Sequence, residues 1–307
     1  HFGEGAGQEL PAGGPGPGSE KRETRVPPRR RSTKLSLAVP SSLVSETPHL
    51  REKTRIIGQV GRAAAIFRVD DIYIYPDNPT EATLIRLILR YLETPQYLRR
   101  YVFSKRPELE YVGVLPPLRT PHHPIEGRAA MLRMGEVREG VVLSESEGGF
   151  LVDVGVERPI RVMGKAPSVG GRATIRVTET KTELEGVFIG RGEVGSYWGY
   201  GVHISRQRLG RLAASGEFDL TVATSRLGQP YPKVEKQLRE MWEGARSTLV
   251  AFGSPRSGLR DILAHDGLTM EESFHITVNT IPEQGSETVR TEEAVYATLA
   301  ILNLLSP

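Results

Sequence analysis

The sequence contains no cysteine, and this absence excludes several classes of protein. Disulfide-stapled folds cannot form, and neither can zinc or iron–sulfur sites that depend on thiolate ligands. No apolar run approaches the roughly 20 residues that cross a bilayer, and no signal-peptide pattern opens the chain. We therefore expect an intracellular, cytoplasmic protein without a membrane or metal partner.

Lysine is also scarce, with 8 residues against 32 arginines. The formal net charge is +3, and residues 1–34 alone carry seven Lys or Arg and four Glu. The rest of the chain is therefore neutral overall, so a nucleic-acid site on the folded body must be a local patch. The length of 307 residues leaves room for two domains of ordinary size.

Residues 1–33 are poor in large apolar side chains and rich in glycine and proline. Such a segment cannot bury enough surface to offset the entropy lost on ordering, so we predict a disordered basic tail. Its cationic side chains either contact RNA phosphates or are simply solvated. With the residue that follows it, they are Lys21, Arg22, Arg25, Arg29, Arg30, Arg31 and Lys34.

Strands and helices alternate along both ends of the remaining chain, which is typical of an α/β domain with a parallel sheet. The predicted strands are 35–40, 71–75, 111–115, 218–223, 247–252 and 274–279. The predicted helices are 45–66, 80–92, 95–103, 232–245 and 291–305. We assign residues 34–130 and 206–307 to one discontinuous domain.

Between these two parts, short alternating runs separated by glycines replace the helical period. Five such runs are typical of a small Greek-key barrel of the OB kind. They are 140–143, 149–154, 159–162, 173–177 and 184–189. Residues 131–205 are therefore predicted to form an inserted OB-like, RNA-binding domain. Near its end, Tyr197, Trp198 and Tyr200 either stack on bases or form an aromatic plug between the domains.

Two glycine patterns resemble nucleotide-binding motifs but lack what those motifs need. Residues 190–195 match G-x-G-x-x-G, yet no helix follows them. Residues 253–258 have the glycine spacing of a phosphate-binding loop, but Leu259 stands where the lysine is required. His122 and His123 have no partner at metal-ligand spacing, which favours a structural or RNA-facing role.

A long polar loop separates the strand at 274–279 from the apolar helix at 291–305. Ligands in open α/β sheets collect at the carboxyl ends of strands, so this loop is a candidate binding site. The helix is apolar on most sides and is expected to be buried, as in a dimer seam. A plain capped connection is the alternative, with Thr291 as N-cap and the two following glutamates favouring the helix dipole.

The residues of this loop form a specific motif, which comprises Asn279-Thr280, Gln284-Gly285-Ser286, Thr288 and Arg290-Thr291-Glu292-Glu293-Ala294. It closely resembles the SPOUT-class (trefoil-knot) RNA methyltransferases of archaeal and eukaryotic type, which carry an inserted OB-fold domain. Further matches extend the resemblance over roughly residues 34 to 305. They lie at 35–40, 111–124, 224–226 and 252–253.

This resemblance implies a SPOUT-type α/β parallel-sheet domain with a deep C-terminal trefoil knot, and a homodimer. It also implies that S-adenosylmethionine is bound mainly by backbone groups of the loops after 247–253 and 276–281. Carried over by position, the cofactor contacts are Arg226, Gly253, Asn279, Thr280, Ile281, Ser286 and Thr288. Eukaryotic members are associated with methylation of uridine N3 in large-subunit ribosomal RNA, and we expect an RNA partner here.

The chemistry of that reaction selects further candidates. N3 of uridine carries a proton that a base must remove, and arginine can stabilise charge developing on the neighbouring carbonyl oxygens. We predict Arg290 in the arginine role and Glu292 or Glu283 as the base. The alternative function is a non-catalytic RNA-binding or ribosome-assembly protein with a vestigial cofactor pocket.

Overall fold

The structure is a computed structural model that describes residues 26–180 and 183–305. Its strands, numbered along the chain, are β1 Lys34–Pro40, β2 Asp71–Tyr75, β3 Val137–Ser146, β4 Gly149–Asp153, β5 Ile160–Met163, β6 Arg172–Glu179, β7 Glu185–Ile189, β8 Gly201–Ile204, β9 Leu220–Pro230, β10 Ser247–Ala251 and β11 Ile276–Asn279. Its α-helices are α1 Leu50–Ile66, α2 Ala82–Glu93, α3 Arg99–Val102, α4 Leu209–Ala213, α5 Tyr231–Glu243, α6 Leu259–Ala264, α7 Met270–Ser273 and α8 Thr291–Leu302. None of the helices in these two ranges is long and apolar enough to span a membrane.

Six strands form one parallel sheet in the order β11-β9-β10-β1-β2-β8. Successive side chains of β1 enter different cores, as the alternation of a strand requires. Leu35 and Leu37 pack with α1, α2, α5 and α8, whereas Ala38 packs with α4, α6 and α7. Helices therefore cover both faces of the sheet, and the predicted parallel α/β fold is confirmed.

The five predicted short runs form a closed barrel in the order β3-β4-β5-β7-β6. Neighbours pair antiparallel except β5 and β7, which pair parallel. Alternating apolar residues fill the interior, where Val152, Ile160, Val162 and Ile175 are fully buried. Closure leaves no unpaired sheet edge, so the barrel can stand as a separate core within the chain.

β8 shifts the end of the predicted insertion. Residues 201–204 fell within the predicted range 131–205, but they pair in parallel with β2, from Asp71 opposite Gly201 to Ile74 opposite Ile204. A short run with alternating apolar residues suits a barrel strand and a sheet-edge strand equally well. Periodicity alone therefore could not separate the two.

Two other predicted elements differ from the structure. The helix predicted from residue 45 begins at Leu50, because Pro48 disfavours helical backbone at the residue before it. Residues 111–115, predicted as a strand, instead contain a 3₁₀ turn at Val112–Val114. Two prolines follow at once, and since proline has no N–H group, they could not continue a ladder of hydrogen bonds.

The described end of the predicted tail, residues 26–33, is attached to the folded body. The Arg31 guanidinium donates to the Phe67 carbonyl at 3.1 Å and to Asn303 Oδ1 at 2.5 Å. Burial of this side chain lowers the pKa of Arg31 to about 10. The predicted disorder therefore does not extend to residue 33, whereas Lys21, Arg22 and Arg25 lie outside the described residues.

The aromatic residues between β7 and β8 are buried rather than available to bases. Tyr197 and Tyr200 are 1% and 2% exposed, and Trp198 is 3% exposed. The Tyr197 hydroxyl donates to the Val69 carbonyl at 2.9 Å, and the Tyr200 hydroxyl donates to the Leu89 carbonyl at 3.1 Å. The sequence left two interpretations open, base stacking and an aromatic plug between the domains. These contacts favour the plug.

A buried charged cluster, which we call the barrel latch, joins the end of α2 to the barrel through Glu93, Arg172, Glu139 and Trp198. Arg172 donates to Glu93 Oε2 at 2.6 Å and to Glu139 Oε2 at 2.5 Å, and Trp198 Nε1 donates to Glu139 Oε1 at 2.5 Å. Burial by itself raises the pKa of Glu93, but the charge of Arg172 and hydrogen bonding from His122 outweigh it. The pKa of Glu93 therefore lies well below its usual range, and this carboxylate stays ionised.

The adjacent histidines lie against the same end of α2. His122 Nδ1 is 3.1 Å from Thr120 Oγ1, and the Nε2 atoms of His122 and His123 lie 3.0 and 2.7 Å from the Glu93 carbonyl oxygen. Burial lowers the pKa of His123 to about 3, so its ring is neutral near pH 7. Residues 26–180 and 183–305 hold no group of three or more side chains suited to a metal ion.

Candidate functional site

A cavity of about 340 Å³ opens beyond the carboxyl ends of β10 and β11, beside the middle of β9. Three segments that are far apart in the sequence supply its walls, and they are 224–227, 252–261 and 279–294. The volume falls in the range of small-molecule sites, and the position is the one at which open α/β sheets bind ligands. This cavity is therefore the candidate ligand site.

Most of the predicted cofactor residues meet in this cavity. Six of the seven line it, and they are Arg226, Gly253, Asn279, Thr280, Ile281 and Thr288. Ser286 does not, because its exposed side chain turns to the chain itself and donates to the Thr288 carbonyl at 2.9 Å. The residues are thus brought together, and their roles toward a ligand stay predictions.

Asn279, the last residue of β11, holds two walls of the cavity together. Its Nδ2 donates to the Arg226 carbonyl at 3.1 Å, and its Oδ1 accepts from the Ile281 amide at 2.9 Å. The next hydroxyl, Thr280 Oγ1, lies 2.8 Å from Thr298 Oγ1 in the buried face of α8. The amide side chain therefore fixes the loop after β11 against the middle of β9, at Arg226.

Gly253 follows β10, and its surroundings leave little space for a side chain. A Cβ atom at this position would lie 3.0 Å from the Ser257 carbonyl oxygen. The Gly253 carbonyl accepts from Thr291 Oγ1 at 3.0 Å. Thr291 is accordingly the first residue of α8 and not its N-cap, which is Arg290. The expected cap was wrong by one residue because this hydroxyl is used for a long-range contact.

None of the three predicted catalytic residues lines the cavity. Arg290 is exposed at the mouth, between the lining residues Val289 and Thr291, and its backbone N–H donates to Glu293 Oε2 at 2.9 Å. Glu283 is exposed in the polar loop with a φ of 55°, a left-handed backbone conformation. By contrast, Glu292 is only 6% exposed in the first turn of α8. Arg290 and Glu283 can therefore face a macromolecule in solution, and Glu292 cannot do so as it stands.

Two arginines that line the cavity were not identified from the sequence. They are Arg256 and Arg260, in the loop after β10 and at the start of α6. Arg256 pairs with Glu46 at 2.9 Å, whereas Arg260 forms no ion pair with any residue that the structure describes. The only available signal was the discarded phosphate-loop pattern, which brackets Arg256.

The lining combines apolar and charged groups. Leu227, Phe252 and Ile281 offer apolar surface, and three arginines add positive charge. Arginine binds carboxylates and phosphates in well-defined geometry, while backbone groups at strand ends can recognise the edge of a heterocyclic ring. The cavity therefore suits an elongated ligand with a planar ring and a charged end.

Comparison with known proteins identifies relatives over nearly the whole chain. A family model described as "Putative RNA methyltransferase" matches residues 34–302. An uncharacterised protein of Haloarcula marismortui is 36% identical over 88% of this chain and 98% of its own length. The human 28S rRNA (uridine-N(3))-methyltransferase is 31% identical over 89% of this chain and 79% of its own length.

A solved structure described as a putative methyltransferase from Legionella pneumophila aligns over 90% of this chain and 68% of its own, with a TM-score of 0.38 and 8% identity. A likeness of that size carries no inference about the fold. The family match spans the sheet domain, the barrel and the cavity, and it confirms the family resemblance found in the loop motif. The chain therefore belongs to the family of putative RNA methyltransferases.

Proposed function

We propose that the protein is an S-adenosylmethionine-dependent methyltransferase that modifies N3 of a uridine in large-subunit ribosomal RNA. The single observation that carries this proposal is the meeting of six of the seven predicted cofactor residues in one cavity. The names of the human and Drosophila relatives, both 28S rRNA (uridine-N(3))-methyltransferases at 31% identity, support the choice of base.

The residues present fit S-adenosylmethionine. Apolar walls at Leu227 and Ile281 suit the adenine ring, and Arg226 at the edge of the cavity suits the carboxylate of the methionine part. Gly253 lets the loop at 254–259 pack closely against the end of β10, which shapes this wall of the cavity. When bound, this cofactor supplies a methyl group on a positively charged sulfur.

The C-terminal trefoil knot is part of the same proposal. β11 lies at the sheet edge beyond β9, yet α8 packs against α1, so the chain must cross β9 and β10 between them. The crossing segments touch, since Arg226 Nη1 donates to the Glu287 carbonyl at 3.2 Å. If the C-terminal segment is threaded in this way, residues 279–294 come to lie beside 224–227 and 252–261, and all three segments line the cavity.

A homodimer would complete the site. Leu227 lines the cavity and is nevertheless 65% exposed, which is unusual for a leucine at a binding site in a finished assembly. A second copy seated there would cover this side chain and exclude water from the methyl group, as an in-line displacement requires.

The reaction needs an aligned acceptor, a base and stabilisation of negative charge. Arg290, exposed at the mouth, would stabilise charge on the uracil carbonyl oxygens. Of the two candidate bases, Glu283 is exposed and can reach a bound RNA, whereas Glu292 is buried. We therefore propose Glu283 ahead of Glu292 as the group that accepts the N3 proton. Because base pairing hides N3, the uridine must be unpaired or flipped.

The function is tested by mapping modified nucleotides in ribosomal RNA from cells with and without the protein. We expect one methylated uridine to disappear when the protein is absent. Calorimetric titration with S-adenosylmethionine then tests the cofactor directly. No heat at protein concentrations well above micromolar would support the non-catalytic RNA-binding alternative and would end the enzyme proposal.

A Gly253→Val variant should weaken binding of S-adenosylmethionine by about tenfold or more, which is about 1.4 kcal/mol. The new Cβ meets the Ser257 carbonyl oxygen at 3.0 Å, so the loop after β10 that lines the cavity must shift. Calorimetry measures the change. The matched control is Gly285→Ala in the polar loop, where an added Cβ meets nothing within 4 Å. Equal affinity in Gly253→Val and wild type would show that the cofactor binds elsewhere.

A further inference from the structure

A second cavity, of about 380 Å³, lies where β6 begins and β7 ends. We call it the barrel groove, and its walls include Lys165, Pro167, Arg172, Ala173, Phe188 and Arg191. It combines cationic side chains with an aromatic ring, which is the combination that single-stranded nucleic acids require. Its volume is in the range of pockets that hold a small molecule or a single nucleotide.

Lys165 carries the uncompensated charge of the barrel groove. Arg172 is held by Glu93 and Glu139, and Arg191 Nη2 donates to Glu93 Oε1 at 3.1 Å. The charges of Arg172 and Arg191 are thus balanced by those of Glu93 and Glu139, and Lys165 adds one positive charge to the groove. Lys165 is exposed and forms no ion pair within residues 26–180 and 183–305, which leaves its ammonium group open to a phosphate.

Phe188 supplies the aromatic surface. Its ring is half-buried and packs edge-on against Phe150, with centroids 5.9 Å apart. Gly164 lies above it with a φ of 109°, and a Cβ there would be 3.8 Å from Phe188 Cδ2. The turn before Lys165 therefore passes the ring without covering it by a side chain, and a base can stack there.

The face formed by β4 and β5 is less favourable for RNA. OB barrels commonly bind nucleic acids on the face of their second and third strands, which here are β4 and β5. Exposed carboxylates of Glu145, Glu147 and Glu183 border that face. Arg161 of β5 is paired with Glu183 at 3.1 Å, which leaves Arg158, just before the strand, as its neighbouring exposed arginine. Negative charge in excess repels phosphates, so the usual face is a poor site in this barrel.

We propose that the barrel groove binds single-stranded RNA, with a phosphate at Lys165 and a base stacked on Phe188. This inference rests on the proposed function, because it names the surface that holds the RNA to be methylated. The groove adjoins Glu93 at the amino ends of the strands, whereas the cofactor cavity lies at the carboxyl ends. An RNA that contacts both sites therefore extends along the sheet.

The test measures binding of a fluorescent oligouridylate to the full chain without cofactor. Phe188→Leu, which preserves packing against the barrel core, should weaken binding about tenfold through loss of stacking. Lys165→Gln should weaken binding and lower the slope of log K against log salt by about 0.7, the value of one phosphate contact on a single strand. If Phe188→Leu lowers the unfolding midpoint, its loss of affinity could come from a damaged fold. The test then depends on Lys165→Gln alone.

Arg161→Gln is the matched control, because it removes one cation from the β4–β5 face, outside the groove lining. We expect its affinity for the oligouridylate to stay within twofold of wild type. The groove proposal would be overturned if both groove variants bound the oligouridylate as tightly as wild type does. It would also be overturned if only Arg161→Gln lost affinity. Calorimetry with S-adenosylmethionine separates the two proposals. Groove variants that lose RNA, in a protein that binds no cofactor, would support the groove and end the methyltransferase proposal.

Discussion

A Glu93→Gln variant should lose about 3 kcal/mol of unfolding free energy, because it removes a buried carboxylate that pairs with two partly buried arginines. Glu93 is 5% exposed on its side chain and receives Arg172 at 2.6 Å and Arg191 at 3.1 Å. Urea unfolding followed by tryptophan fluorescence measures the change. Trp198 reports on the barrel latch and Trp242 on the core beside the sheet.

Glu126→Gln is the matched control for this prediction. Glu126 also forms a close pair, with Arg128 at 2.8 Å, and hydrogen bonding from Arg128 lowers the pKa of Glu126 to about 2. That pair is exposed to solvent, so water replaces it at little cost. We expect no measurable shift for Glu126→Gln. An equally small shift for Glu93→Gln would show that the latch does not stabilise the fold.

The pH dependence follows from the direction of the Glu93 pKa. Because the folded pKa lies below that of the unfolded chain, the stabilisation is complete above the ordinary glutamate value of about 4.3. It is lost as the pH falls from there toward the folded pKa. The stability difference between wild type and Glu93→Gln should therefore be constant near neutral pH and shrink in acid.

The strands of the main sheet and barrel could be predicted from local alternation, because burial on one or both faces leaves that pattern in the sequence. β8 was not predicted as a strand, because four residues are too few to show a clear period. The prediction of a strand at 111–115 was also wrong. The apolar residues of this run suit a strand, but no strand of the described sheet pairs with it.

Some residues of the candidate site could be predicted from the sequence, and others could not. Residues of the loop motif were found because their chemistry is concentrated in one stretch, from Asn279 to Thr288. Arg256, Arg260 and the contact between Thr291 and Gly253 depend on segments that meet only in the folded chain. The barrel latch was missed for this reason too, since Glu93 and Arg172 are 79 residues apart.

Arg290→Ala should lower the rate of methyl transfer to ribosomal RNA by about 10² to 10³, the usual cost of removing one donor that stabilises developing charge. Affinity for S-adenosylmethionine should stay nearly unchanged, because Arg290 lies outside the cavity lining. The fold should also survive, since the contact that caps α8 is made by the Arg290 backbone N–H with Glu293 at 2.9 Å. Single-turnover methylation and calorimetry measure the two quantities separately.

Two further variants decide what the loss means. Arg211→Ala removes another exposed arginine, in α4 and outside the cavity lining, and should retain wild-type activity. Arg290→Lys keeps the charge but loses the planar donor pair, so it should recover only part of the rate. Activity of Arg290→Ala within threefold of wild type would remove this residue from the mechanism. A parallel loss of RNA affinity would instead make Arg290 a binding residue, since an effect on the transition state alone leaves the bound ground state unchanged.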